Sequence, residues 1–386
     1  MKTLKMILSA ALATMTFAAC NKDMNPQSGE AGLKTIEISL ADLAFTKAET
    51  DAFLTSDNAV VLNNFKIFLT DGIDIIEPGF GATTVQNYYS VAEGESLPKS
   101  VTIDYVPNAV NKVVVVGNVS ESTWGDGITK YADLVAQEIS IDDQWNYKNL
   151  ALYGESSLEP AGTQHNHEGE AYNLYKASVS LAPFVARFEI DGFALEFNSD
   201  PAKFDKVEVK QIAIDNYYTK TTLNPLSAST LKTSVTTLDD VSIFSYFTDN
   251  ITTTGWYYDA LGSGEVVLDR ANAVGTPLVA KADMTSKKAY HFFPGTENPR
   301  LFIQLSTTSN GVETPSYIYS KGFKKADGSS VEFKPGYVYR MNFEGTAADG
   351  DGDLKFDEDD INQLEKCLEI TVEVVKWNVE IIKTEF

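Results

Sequence analysis

The chain has 386 residues, 43% of them hydrophobic, and sets 31 basic against 54 acidic residues for a formal net charge of −23. Such a polyanion repels nucleic-acid phosphates and anionic lipid headgroups, which excludes both as primary partners. The length fits two or three packed domains, and with only Cys20 and Cys367 the fold must be stable without a disulfide framework.

The N-terminus carries Lys2 and Lys5, then an apolar run from Met6 to Leu12, then Phe17-Ala18-Ala19 ahead of Cys20. This is the tripartite form of a secretory signal peptide, shorter than the roughly 20 apolar residues that cross a bilayer. Ala18 and Ala19 offer a signal peptidase little side-chain bulk. The cysteine behind them resembles the lipobox of bacterial lipoproteins, with Phe17 where leucine is usual. Residues 1–19 are therefore expected to be removed, and Cys20 to be acylated and to become the new N-terminus. The alternative is an ordinary secreted protein in which Cys20 is incidental.

Beyond Cys20 the dominant period is two, which predicts an all-β fold. Ile36-Glu37-Ile38-Ser39-Leu40 alternates cleanly within the segment from Leu33 to Phe45. Val101, Ile103 and Tyr105 share one face of a second strand. Lys112 followed by four valines predicts a strand buried on both sides. The polar segment from Glu159 to Glu170 is expected to break the strand pattern and to precede a boundary near Ala182-Pro183. A fresh strand then runs through Phe184, Ala186, Phe188 and Ile190, and Val207 and Val209 lead to Ile212 and Ile214. Strands also follow the turns Pro294-Gly295 and Pro335-Gly336. Only two helical exceptions are expected, Tyr131 to Ala136 and Glu358 to Glu365. Short strands punctuated by Gly, Pro, Asn and Asp point to β-sandwiches.

Two segments carry candidate ligand sets. Asp349, Asp351, Asp353, Asp357 and Asp360 stand at positions one, three, five, nine and twelve of a calcium-type loop, with the Lys355 carbonyl at position seven. Leu354 replaces the usual turn glycine, and Asp360 is shorter than the usual glutamate, so a solvated acidic loop is the competing reading. His165 and His167 share one face of an extended segment, a minimal zinc pair, or else part of a polar loop. No nucleophile elbow, phosphate-binding glycine loop or His-Glu-x-x-His motif occurs, so neither an enzyme nor a cofactor other than calcium is expected.

At the C-terminus the apolar parity changes. Leu368, Ile370, Val372 and Val374 occupy one face, while Val375, Trp377, Val379 and Ile381 occupy the other. The change at Val374-Val375 marks either a β-bulge or a segment that changes partner. On the second reading, residues up to Val374 belong to the chain's own sheet and Trp377, Val379 and Ile381 lead a strand that serves a neighbour.

Five segments in order resemble the fimbrillins of the Bacteroidales, the type V pilin family. They are Val113–Val119 (VVVVGNV), Phe184–Ile190 (FVARFEI), Tyr290–Leu305 (YHFFPGTENPRLFIQL), Phe333–Phe343 (FKPGYVYRMNF) and Cys367–Trp377 (CLEITVEVVKW). The resemblance implies two transthyretin-like β-sandwich domains in tandem, at 48–182 and 183–386. It implies a lipidated propeptide at 20–47 that contains the first strand, and cleavage by a trypsin-like protease between Lys47 and Ala48. Many relatives have Arg where this chain has Lys47 in Thr46-Lys47-Ala48, so an arginine-specific protease would read it less well; a plain solvated lysine is the alternative. Other pilin subunits are the implied partners, with 377–386 as donor strand, the outer membrane holding the precursor by its lipid, and host or bacterial surfaces as ligands. The expected place is the outer membrane and the fimbrium. The rival is a monomeric surface lipoprotein adhesin or glycan-binding module, for which 18 Tyr, 21 Phe and 4 Trp supply ring faces.

Overall fold

A computed structural model describes residues 33–40, 60–78, 87–90, 97–120, 124–144, 146, 149–165, 171–223, 227–249, 257–325, 327–341, 355–362, 367–376 and 379–381. In chain order these begin with β1 (Leu33–Leu40), β2 (Val60–Leu62), β3 (Asn64–Thr70), β4 (Tyr88–Ser90), β5 (Ser100–Pro107) and β6 (Lys112–Gly117). After helix α1 (Tyr131–Val135) come β7 (Glu138–Ser140), β8 (Leu152–Ser157), β9 (Glu159–His165), β10 (Ala171–Val179) and β11 (Ala182–Pro183). Then follow β12 (Ala186–Phe197), β13 (Lys206–Asp215), β14 (Tyr217–Thr222), β15 (Ser229–Lys232), α2 (Asp240–Asp249), β16 (Tyr258–Ala260), β17 (Val267–Asp269) and β18 (Leu278–Phe292). The last are β19 (Arg300–Ser309), β20 (Val312–Lys324), β21 (Tyr337–Met341), β22 (Lys355–Asp357), α3 (Glu358–Asn362), β23 (Cys367–Thr371), β24 (Glu373–Lys376) and β25 (Val379–Ile381).

The fold is all-β. Its four larger sheets sort by sequence. The first has the order β5-β1-β10-β9 and the second β11-β8-β6-β3-β4, all from residues up to 183. The third, β18-β12-β21-β24 with β22 beside β12, and the fourth, β16-β13-β19-β20-β23 with β17 beside β13, use residues from 186 onward. Apolar faces of all four merge into one buried cluster. The four valines Val113 to Val116 are wholly buried on both sides of β6, as their unbroken apolar run requires. Across the third and fourth sheets Phe188 stacks on Phe323 at 5.0 Å, with Phe333 edge-on to both.

Two smaller ladders join early and late strands. β7 pairs with β14 from Ser140 against Lys220 to Glu138 against Thr222. β2 and β25 run parallel, Val60 against Val379 through Leu62 against Ile381. A polar joint reinforces the first. His291 Nδ1 donates to the Gln144 carbonyl at 2.5 Å, while Arg187 beside it and Arg340 share Glu189 at 2.9 and 3.4 Å. Arg340, Glu189 and His291 are nearly sealed from solvent.

Several sequence expectations need correction. Glu159–His165 is a strand, β9, and not a break; it lies at a sheet edge, where a polar, exposed segment still satisfies its backbone against β10. Tyr105 does not continue the face of Val101 and Ile103. Its φ of 56° marks a bulge, so Val106 turns inward instead. The skip from Val209 to Ile212 is likewise a register shift against β19. Helix α2 was not expected; it packs Ile243, Tyr246 and Phe247 against Phe302 and Tyr317 in a separate cluster. The C-terminal change of partner falls at Val372, not at Val374-Val375: β23 belongs to the fourth sheet and β24 to the third.

Candidate functional site

The first strand is the feature that sequence and structure single out together. β1 lies inside its sheet, not at the edge. It runs parallel to β10, from Lys34 against Asn173 to Leu40 against Val179, and antiparallel to β5, from Leu33 against Pro107 to Ser39 against Ser100. Alternation sends Ile36, Ile38 and Leu40 into the core at 0%, 1% and 6% exposure. Each such side chain contributes about 1.5–3 kcal/mol. Both backbone edges are also satisfied, so the strand is held on three sides.

The seat has polar features at defined positions. Lys34 donates from Nζ to the Val110 and Asn108 carbonyls and lies 4.4 Å above the Tyr175 ring. Burial holds its ammonium below the ordinary lysine range. The bulge at Tyr105 brings Asp104 to Thr35, whose hydroxyl donates to Oδ1 at 2.7 Å. Glu37 pairs with Lys176 on β10 at 2.9 Å, and the Ser39 hydroxyl donates to the Ala177 carbonyl at 3.4 Å. Lys34, Asp104, Tyr175 and Lys176 escaped sequence reasoning. The signal that pointed to them was the polar half of the alternation, Thr35 and Glu37, which needs complements on a neighbouring strand.

Cys20, Lys47, Ala48 and Trp377 lie outside the described residues, as do Asp349, Asp351, Asp353 and His167. Val379 and Ile381 fall in β25, which pairs in cis with β2. Asp357 and Asp360, the remaining calcium candidates, form a reciprocal helix cap. The Asp357 carboxylate accepts from the Asp359 and Asp360 amides at 2.7 and 2.9 Å, and Asp360 accepts from the Asp357 amide at 2.9 Å. Burial raises the Asp360 carboxyl above its usual range. Next to it, buried Glu358 accepts from the amides of Ser199, Lys203 and Phe204, and Asp359 pairs with Lys203. Glu358 and Asp359 thus clasp α3 to the loop before β13, while Asp357 and Asp360 cap the helix itself. Among the described residues no cluster of three His, Cys, Asp or Glu is placed to hold a metal, and no helix is long and apolar enough to cross a membrane.

No family model and no curated protein matches the chain. Solved structures do. A structure titled "putative cell adhesion protein", from Bacteroides eggerthii, aligns over 90% of this chain and 98% of its own, with a TM-score of 0.50 and 16% identity. Another from Parabacteroides distasonis aligns over 91% and 99%, with a TM-score of 0.53 and 12% identity. At these identities the likeness is one of fold, and it covers nearly the whole of both relatives: the chain has the β-architecture of these Bacteroidales cell adhesion proteins.

Proposed function

We propose that the protein is a structural subunit of a cell-surface fimbria that serves adhesion, carried outward as a lipoprotein precursor on Cys20 and assembled by strand exchange. The observation that carries this reading is the interior position of β1. It belongs to the segment that cleavage between Lys47 and Ala48 would detach, and its loss would open two rows of backbone donors and acceptors above an apolar trough. An extended segment of a second copy satisfies both at once, and a head-to-tail contact of that kind does not close, so it propagates. The shared architecture with cell adhesion proteins accords with a place at the cell surface. In this reading the two pairs of sheets are two domains that meet near residue 183, and 377–386 is the donor. The lipid on Cys20 is a temporary tether to the outer membrane, discarded with β1.

Limited trypsin treatment of the purified chain tests the proposal. The expected result is a new N-terminus at Ala48 followed by ladders that resist SDS. A chain that shows neither that cut nor the ladders would be the monomeric surface adhesin or glycan-binding module instead.

A further inference from the structure

The apolar face of β1 does not by itself define how a replacement strand must enter. A one-residue slip reverses the buried face, but a two-residue slip merely exchanges Ile36, Ile38 and Leu40 among similar positions. The polar positions break that degeneracy. Read along β1, the seat calls for a hydrogen-bond donor at Lys34, another at Thr35, an aliphatic group at Ile36, an acid at Glu37 and an aliphatic group at Ile38.

β25 has the sequence Val379-Glu380-Ile381, the same aliphatic-acid-aliphatic triplet as Ile36-Glu37-Ile38. Among the described residues its ladder runs from Val60 against Val379 to Leu62 against Ile381. Leu368-Glu369-Ile370 and Val372-Glu373-Val374 have this form too, but the ladders of β23 and β24 engage them in the fourth and third sheets.

Resting on the strand-exchange reading above, we infer that Lys176 sets the register of the β1 seat, and that its partner is Glu380 from a second copy of this chain. Val379 and Ile381 then take the places of Ile36 and Ile38. The triplet reads the same in both directions, so the assignment holds for either orientation of entry. In the direction of β1, Trp377 brings a ring and an N–H to the place of Lys34, beside Tyr175 and the two carbonyls, and Asn378 brings an amide donor to Asp104. In the reverse direction Lys383 takes the place of Lys34, Asn378 that of Ser39 and Trp377 that of Leu40. Glu380 faces Lys176 in both. The Glu37–Lys176 pair is about half exposed, at 36% and 54%, so it adds little affinity. Its discriminating power lies in the repulsion that a like charge meets at that position.

The test uses the full chain with the recognition site of a sequence-specific protease inserted between Lys47 and Ala48, which spares the lysines of the tail. Ladder formation after cleavage is compared for the parent, Lys176→Glu, Glu380→Lys and the double variant, each checked for an unchanged thermal transition before cleavage. Each single variant should slow assembly by roughly tenfold, and the double variant should return to within about threefold of the parent. In a Cys367→Ser background, oxidation should link subunits through Lys176→Cys with Glu380→Cys, but not through Lys176→Cys with Asn378→Cys. Parent-like rates in both single variants, or a link through position 378 rather than 380, would overturn the register assignment and leave strand exchange standing. A parent chain that is cleaved and forms no ladder overturns strand exchange and the assignment with it.

Discussion

Glu358 and His291 show how the fold uses buried ionisable groups away from the β1 seat. Glu358 has no solvent exposure and receives three backbone amides from the loop ahead of β13. Glu358→Ala strands those donors, and the expected loss is about 3 kcal/mol in urea unfolding. His291 is held neutral by burial and then by the nearby Arg187 guanidinium, against the pull of its bond to Gln144, so that its pKa falls to about 3. The folded value is depressed below the unfolded one of about 6.5. Below that pH the unfolded chain takes up a proton the native state refuses, so this residue's share of stability is intact above pH 6.5 and drains away as pH falls toward 3. The slope is at most about 1.4 kcal/mol per pH unit. His291→Asn should flatten it, and denaturant midpoints at pH 7 and pH 4.5 check this; equal drops in parent and variant would remove His291 as the cause.

At the scale of the element, β1 is the strand whose disturbance ought to stay local. Ile38→Asp puts a carboxylate where a 1% exposed aliphatic side chain lies, at a cost of about 3–5 kcal/mol. Amide exchange should quicken along β5 and β10 and stay slow along β19 and β20; uniform acceleration would mean that the seat is not a separable unit. Strands were legible in the sequence wherever one face is buried, as in β1 and β6, because period-two patterning is a direct image of that burial. β9 was not legible, since an edge strand with both faces wet carries no such image. Helix α2 was missed for a related reason: its apolar residues, Ile243, Tyr246 and Phe247, serve a small satellite cluster and make no long stripe. Spacing alone does not distinguish ligands from caps, and of the five aspartates in the acidic run only Asp357 and Asp360 lie among the described residues. Asp357 and Asp360 are turned toward backbone amides by the helix that begins between them. The partners of β1's polar side chains come from strands more than sixty residues away, and no local pattern encodes them.

For the whole molecule, a formal charge of −23 on every copy opposes self-association. Raising ionic strength from about 0.03 to 0.3 M shortens the screening length from roughly 18 to 6 Å and should speed assembly of the cleaved chain. Slower assembly at the higher salt would point to a contact dominated by opposite charges. Deleting residues 377–386 should leave a cooperatively folded monomer by circular dichroism yet abolish polymers, and normal fibres from that truncation would remove the C-terminus as donor.

The passage of the chain through Val372 has a mechanical consequence. This one residue, 2% exposed, with its amide on the Lys324 carbonyl at 2.7 Å, carries the backbone from β23 in one sheet to β24 in the other. A tail rooted this way transmits tension in series. Once residues 377–386 are seated in a second copy, as the strand-exchange reading has it, load on them must first strip β24 from Tyr337–Met341, then dislodge a buried valine, and only then reach the parallel ladder of β23. The tail would yield in steps, with the valine as a stop between the two ladders, so the subunit could lengthen under a brief pull before either sheet gave way entirely.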